Sequence, residues 1–184
     1  MKITSIIVVL LMAALAASCS KTTGGVALID TDYGQIKLKL DAETAPKHVE
    51  QFKKLAREGF YDGLAFHRAV PDLLIQGGDP NTRGDDRSTW GAGAPGQPTL
   101  AAEFSDKPFK RGVLGAARRG NDINSATSQF FICLRDFQSW NGQYTVFGEV
   151  IEGIDVVDKI ARQPSDSRQN LLNKVVMKKV SIQD

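Results

Sequence analysis

What most constrains this chain is how briefly it stays apolar. Beyond residue 25 the apolar runs are short: Leu73 to Ile75, Val113 to Ala117, Phe130 to Leu134, Val146 to Val150, and a last one near Val175 to Ile182. Glycine-rich or polar loops separate them, so each fits a strand. Gln35-Ile36-Lys37-Leu38-Lys39-Leu40 alternates polar and apolar residues, the period of a half-buried strand. Val26 to Asp30, across the turn Asp32-Tyr33-Gly34, supplies its partner. Helical spacing occurs twice. Val49, Phe52, Leu55 and Ala56 follow the start Thr44-Ala45-Pro46 and end at Gly59. Ile154, Val157 and Ile160 lie between about Gly153 and Arg162, and Pro164 stops that helix. Many short strands with two helices predict a fold dominated by β structure, a barrel or a sandwich.

Composition leaves room for one such domain. The chain has 184 residues, 42% of them hydrophobic, with 23 basic and 21 acidic side chains. That balance excludes a disordered chain and gives no bulk charge for nucleic acid. Asp79 to Pro98 differs in kind from the rest. It holds Gly84, Gly91, Gly93, Gly96, Pro80, Pro95 and Pro98, too many breakers for a regular element, and a loop of that length is usually functional or mobile.

The first residues read as an address. After Met1 and Lys2, every residue from Ile6 to Ala17 is apolar. Twelve helical residues reach about 18 Å, short of the roughly 30 Å hydrocarbon core, which suits a signal peptide better than a spanning helix. Leu15-Ala16-Ala17-Ser18-Cys19 resembles a bacterial lipobox, although Ala16 stands where Leu is usual. The expected organisation is a signal peptide over 1–18, a lipidated Cys19 with a short tether over 19–25, and one domain over 26–184. An ordinary secretory signal is the alternative. Export to a bacterial cell envelope follows from either, with the membrane reached through the lipid alone. Lipidation would leave Cys133 without a disulfide partner, and its apolar setting marks it as an inert core thiol.

Several chemistries lack their residues. Gly91-Ala92-Gly93-Ala94-Pro95-Gly96 has the letters of a dinucleotide fingerprint but neither the preceding strand nor the following helix that would present N–H groups to phosphate. His48 and His67 are the only histidines, too poor a stock for zinc, so no metal site is expected. The G-x-S-x-G elbow of serine hydrolases is absent. Lys110, Arg111, Arg118 and Arg119 form a basic cluster without interleaved aromatics, which reads as a solvated face.

Three blocks carry a resemblance. They are Phe66-His67-Arg68-Ala69-Val70-Pro71 with Ile75-Gln76-Gly77-Gly78-Asp79, then Ser128-Gln129-Phe130-Phe131-Ile132-Cys133, then Val146-Phe147-Gly148-Glu149-Val150. In order and spacing they resemble the signature of cyclophilin-type peptidyl-prolyl isomerases, from about Val26 to Asp184. The resemblance implies a closed eight-stranded antiparallel barrel capped by two helices. It implies catalysed rotation about X–Pro bonds, whose barrier of roughly 18–20 kcal/mol comes from amide resonance. No covalent bond changes, so no cofactor is implied, and the partners are Pro-containing unfolded or partly folded polypeptides of exported proteins. Nothing suggests an obligate dimer, and a monomer is expected.

The residue roles come from the same match. Arg68 would donate to the prolyl nitrogen as it pyramidalises, Gln76 would steady Arg68, and Phe131 would wall the proline pocket. Leu73, Leu74 and Trp140 complete that wall, and Gln129 contacts the substrate backbone. Ala117 and Arg118 hold the residue before proline, while His67 and Tyr144 belong to the substrate-binding set. Departures accompany the match. Leu73 stands for the usual Phe, Leu74 for Met, Arg118 for Asn and Tyr144 for His. Ser139 takes the place of a Trp found in many eukaryotic members, which argues against tight cyclosporin binding. Leu73 and Arg118 also support a second reading, a fold of this family that binds Pro-containing segments with weak turnover.

Overall fold

Alternation along the first strands becomes burial on one side. In the computed structural model, which describes residues 24–183, β1 (Val26–Thr31) and β2 (Gly34–Leu40) form an antiparallel hairpin. Ala27, Ile29, Ile36, Leu38 and Leu40 turn into a common core, while the intervening lysines of β2 face outward. The remaining strands are β3 (Ala65–Val70), β4 (Leu74–Gly77), β5 (Val113–Ala116), β6 (Phe130–Cys133), β7 (Val146–Glu152), β8 (Asn170–Val176) and β9 (Lys179–Gln183). The expected signal peptide, Cys19 and most of its tether lie outside the described residues.

Two helices complete the core. Along α1 (Pro46–Arg57), Val49, Phe52 and Ala56 are buried; along α2 (Ile154–Ala161), Val156, Val157, Ile160 and Ala161 are. α1 begins without a side-chain cap of its own, because Ala45 occupies that position. Glu103, 55 residues beyond His48, substitutes for it. Its carboxylate accepts from the backbone N–H groups of Lys47 (3.1 Å) and His48 (3.0 Å) and meets His48 Nδ1 at 2.6 Å. Burial alone would raise the Glu103 pKa, but these hydrogen bonds hold it below its ordinary value.

All nine strands belong to one antiparallel sheet in the order β8-β3-β4-β6-β5-β7-β2-β1-β9. The expectation of an eight-stranded closed barrel is thereby corrected to a curled nine-stranded sheet. Its two edge strands, β8 and β9, do not pair with each other. They are consecutive in the chain and pair with β3 and β1 respectively. Between them Met177 donates to Leu64 O and Lys178 to Asp30 O, both at 2.8 Å. The final stretch therefore changes partner at Met177–Lys178, and one expected strand becomes two.

The breaker-rich segment from Asp79 is irregular but tied down. It contains two short 3₁₀ turns, Pro80–Arg83 and Arg87–Thr89. The fully buried carboxylate of Asp79 accepts from the backbone of Asn81 (3.0 Å), Gly91 (2.5 Å) and Gly93 (3.3 Å), which holds the loop against the sheet.

Candidate active site

Residues directly opposite one another on paired strands share a face of the sheet. The register pairs Arg68 of β3 with Gln76 of β4, Gln76 with Phe131 of β6, and Phe131 with Gly115 of β5. One row across four strands thus carries a cation, an amide and an aromatic ring outside the main core, and Arg68 and Phe131 lie about 10 Å apart at their Cα atoms. Gly115 is the seat of the ring: a Cβ there would fall 2.3 Å from the tip of Phe131, so only glycine lets the ring lie over that strand.

Phe131 belongs to a second apolar cluster, separate from the main core, with Phe109, Val113, Cys133, Phe137 and Val146. Leu73, Ala117, Trp140 and Tyr144 are half-buried against it. Trp140 and Tyr144 meet the Phe131 ring nearly edge-on, at centroid distances of 5.4 and 5.5 Å, and Phe137 stacks on Trp140 at 4.1 Å. Phe131 itself is almost fully buried, so the half-buried side chains around it form the accessible apolar surface. Leu74 lies two pairs along from Gln76, opposite Cys133, and is almost wholly buried, so Leu73 is the more accessible of the two leucines. Burial also pushes the Cys133 thiol up to about 12, as expected of an inert core cysteine.

Arg68 is half-buried, and burial lowers its pKa somewhat from the ordinary arginine value, with Tyr144 acting in the opposite sense. Its Nε donates to Gln169 Oε1 at 2.8 Å. Among the described residues neither Nη nitrogen has a protein acceptor, so both are free to donate to a ligand. Gln76 does not steady Arg68 as expected: its amide donates instead to Gln129 Oε1 (3.0 Å), and Gln129 in turn donates to Gly91 O (3.2 Å). The sequence reading missed Gln169. Its only local sign is a polar residue in a turn, and no spacing rule relates positions 68 and 169.

Gln76, Gln129, Ala117, Arg118, Gly93 and Thr127 border a polar recess of about 120 Å³ next to the row. Arg118 does not extend its charge freely over this edge. Its guanidinium donates to Gln143 O (3.1 and 3.0 Å), Arg119 O (3.0 Å) and Gly120 O (2.8 Å), and lies 4.6 Å from the centre of the Tyr144 ring. Arg118 thereby holds Tyr144 in place.

His67 requires a correction. Its ring is 2% exposed, both nitrogens are buried without a hydrogen-bond partner, and it lies beneath Gly91 rather than on the groove. Phe66 and Ala69 both enter the main core although they are three residues apart, and the β3–β8 register shifts between Phe66 and Arg68. That bulge spoils strict alternation and leaves His67 covered by the glycine-rich loop. No group of three or more metal-ligating side chains occurs among the described residues.

Residues 26–182 match the family described as cyclophilin type peptidyl-prolyl cis-trans isomerase/CLD. The chain belongs to this family. A relative from Brucella suis biovar 1, named "Probable peptidyl-prolyl cis-trans isomerase", is 50% identical over 133 residues, which cover 70% of this chain and 67% of that one. The peptidyl-prolyl cis-trans isomerase ppi1 of Schizosaccharomyces pombe is 37% identical over 145 residues, 76% of this chain and 86% of that one. A crystal structure of a Cryptosporidium parvum cyclophilin type isomerase superposes with a TM-score of 0.78 at 28% identity, covering 87% of this chain and 98% of that one. The same parasite protein has also been crystallised in the presence of the dipeptide Ala-Pro (TM-score 0.77, 28% identity, 86% and 99% coverage). As a cyclophilin, this protein is a peptidyl-prolyl cis-trans isomerase.

Proposed function

We propose that this cyclophilin turns X–Pro bonds of exported polypeptides, with proline seated against Phe131 and the prolyl nitrogen facing Arg68. The free Nη edge of Arg68, in one row with the ring, carries this reading. In the planar amide the nitrogen lone pair is delocalised and accepts no hydrogen bond. Halfway through the rotation it is localised, and a guanidinium donor stabilises that state more than either ground state. Arginine suits the task because it stays charged even when half-buried. Leu73, Trp140 and Tyr144 flank the proline ring, while Gln129 and Ala117 border the path of the preceding residues. A closed set of side chains needs only to grip and donate, since no bond is made or broken.

Isomerisation of a short X–Pro peptide, followed for the wild type beside Arg68→Ala, tests this. The variant should lose about 100-fold in kcat/KM, the scale of one transition-state donor, and still bind the peptide. Equal rates would reject the role of Arg68. Peptide binding without acceleration by either protein would favour a binding module instead.

The apolar run Ile6 to Ala17 and the small residues before Cys19 support an exported, lipid-anchored protein in the cell envelope. Its clients there would be folding chains, in which uncatalysed X–Pro steps take tens to hundreds of seconds. Replacing Cys19 with Ala should move the protein from the membrane fraction to the soluble envelope fraction. Unaltered detergent dependence would remove the anchor from the proposal.

A further inference from the structure

The reading of Arg68 as the donor leaves open what aims it. The residue expected to do so, Gln76, spends its amide on Gln129. The contact that Arg68 does make comes from the other side of β3, out of the turn that leads into β8.

That turn is built around Gln169. Asp166 Oδ1 accepts from the backbone N–H groups of Arg168 (2.8 Å) and Asn170 (2.9 Å), and Asp166 N donates to Asn170 O (2.8 Å). Gln169 N donates to Asp166 O (2.9 Å), and Gln169 O accepts from Ala69 N (3.0 Å), which locks the turn onto β3 beside Arg68. Gln169 itself has φ +68, a left-handed conformation that a non-glycine residue adopts only at a cost. Glycine would suit the backbone better, so conformation does not explain the side chain. Asn170 is the cross-strand partner of Arg68, at the register shift of β3 against β8. The neighbouring turn residue can therefore reach the guanidinium from behind.

We propose that Gln169 is the positioning residue for Arg68: its side-chain oxygen fixes Nε so that both Nη donors point over the proline slot. Nε is the one guanidinium nitrogen on the stem side of the fork, so holding it orients the fork without consuming the donors that face substrate. Unheld, a long arginine samples several rotamers, and the donor is in place for only part of the time.

This proposal rests on the catalytic role of Arg68, and the experiment separates the two. Gln169→Gly removes the amide while relieving the left-handed backbone. Its kcat should fall about ten- to a hundredfold with KM within about twofold, and its melting temperature should not drop appreciably. Gln169→Glu keeps an acceptor at the same reach and should recover most of the lost kcat. In an Arg68→Ala background, Gln169→Gly should cause no further loss. Wild-type kcat in Gln169→Gly, failure of the Glu variant to recover it, or an equal loss with Arg68 already absent would each overturn the proposal. If Arg68→Ala itself isomerises as fast as the wild type, the catalytic reading fails first, and Gln169 loses its target.

Discussion

At the scale of single residues, two of the departures from the usual cyclophilin pattern act together. Arg118 and Tyr144 stand where Asn and His are expected, and the two are in contact, guanidinium over ring. The added charge is thus used to brace a pocket wall. His67 offers a different lesson, because its motif position suggested substrate contact and its environment denies it. Burial depresses its pKa from 6.5 to about 4, with Asp79 opposing and Arg68 assisting. The folded protein therefore holds His67 neutral in a range where the unfolded chain binds a proton. Stability from this group is complete above about pH 6.5 and declines as pH falls towards 4, by about 3 kcal/mol across the window. Urea unfolding at pH 7.0 and 4.5 should show a smaller loss for His67→Leu than for the wild type; identical losses would contradict the assignment.

At the scale of elements, most strands and both helices were readable because their apolar period survives in the sequence. β1, β2, α1 and α2 agree with the expected segments to within a few residues. β3 carries Arg68 and is hard to read from its period, since His67 and Arg68 are adjacent polar residues and the bulge puts Phe66 and Ala69 on the same side. The row Arg68–Gln76–Phe131–Gly115 is a property of register, which a run of residues does not state. Gly115 gives the element-level prediction. Gly115→Ala places a methyl against the Phe131 ring and should cost about 1–3 kcal/mol in stability, together with at least a tenfold fall in kcat/KM. Peptide assays beside thermal melts would check it, and unchanged kcat/KM would show that the ring does not need its seat.

For the whole molecule, the final fifteen or so residues span both edges of the sheet. β8 pairs with β3 at one sheet edge and β9 with β1 at the other, so a single covalent step at Met177–Lys178 joins the two edges. β9 also places Val180 in the main core, and Lys179 and Val180 both meet the Asp62 carboxylate. A chain ending after Met177 should lack a cooperative thermal transition, because β1 would lose its outer ladder and the core one side. Calorimetry of that truncation is the check; a sharp, wild-type-like transition would show that the first eight strands suffice.

The residues alone determined the class of the fold, the two helices, the absence of a usual hydrolase elbow, and, through three motif blocks, the chemistry and the residue proposed as its donor. All of these depend on local period or on residue identity at fixed spacing, which a linear chain records. Only the tertiary structure decided which amide holds Arg68, where the ring of Phe131 rests, which side His67 takes, and how the last strand divides. Those outcomes depend on contacts between positions far apart in the chain, such as Arg68 with Gln169 and Asp30 with Lys178. They are set by strand register and by a bulge, and a single-residue slip in either would change every one of them without altering a letter of the sequence.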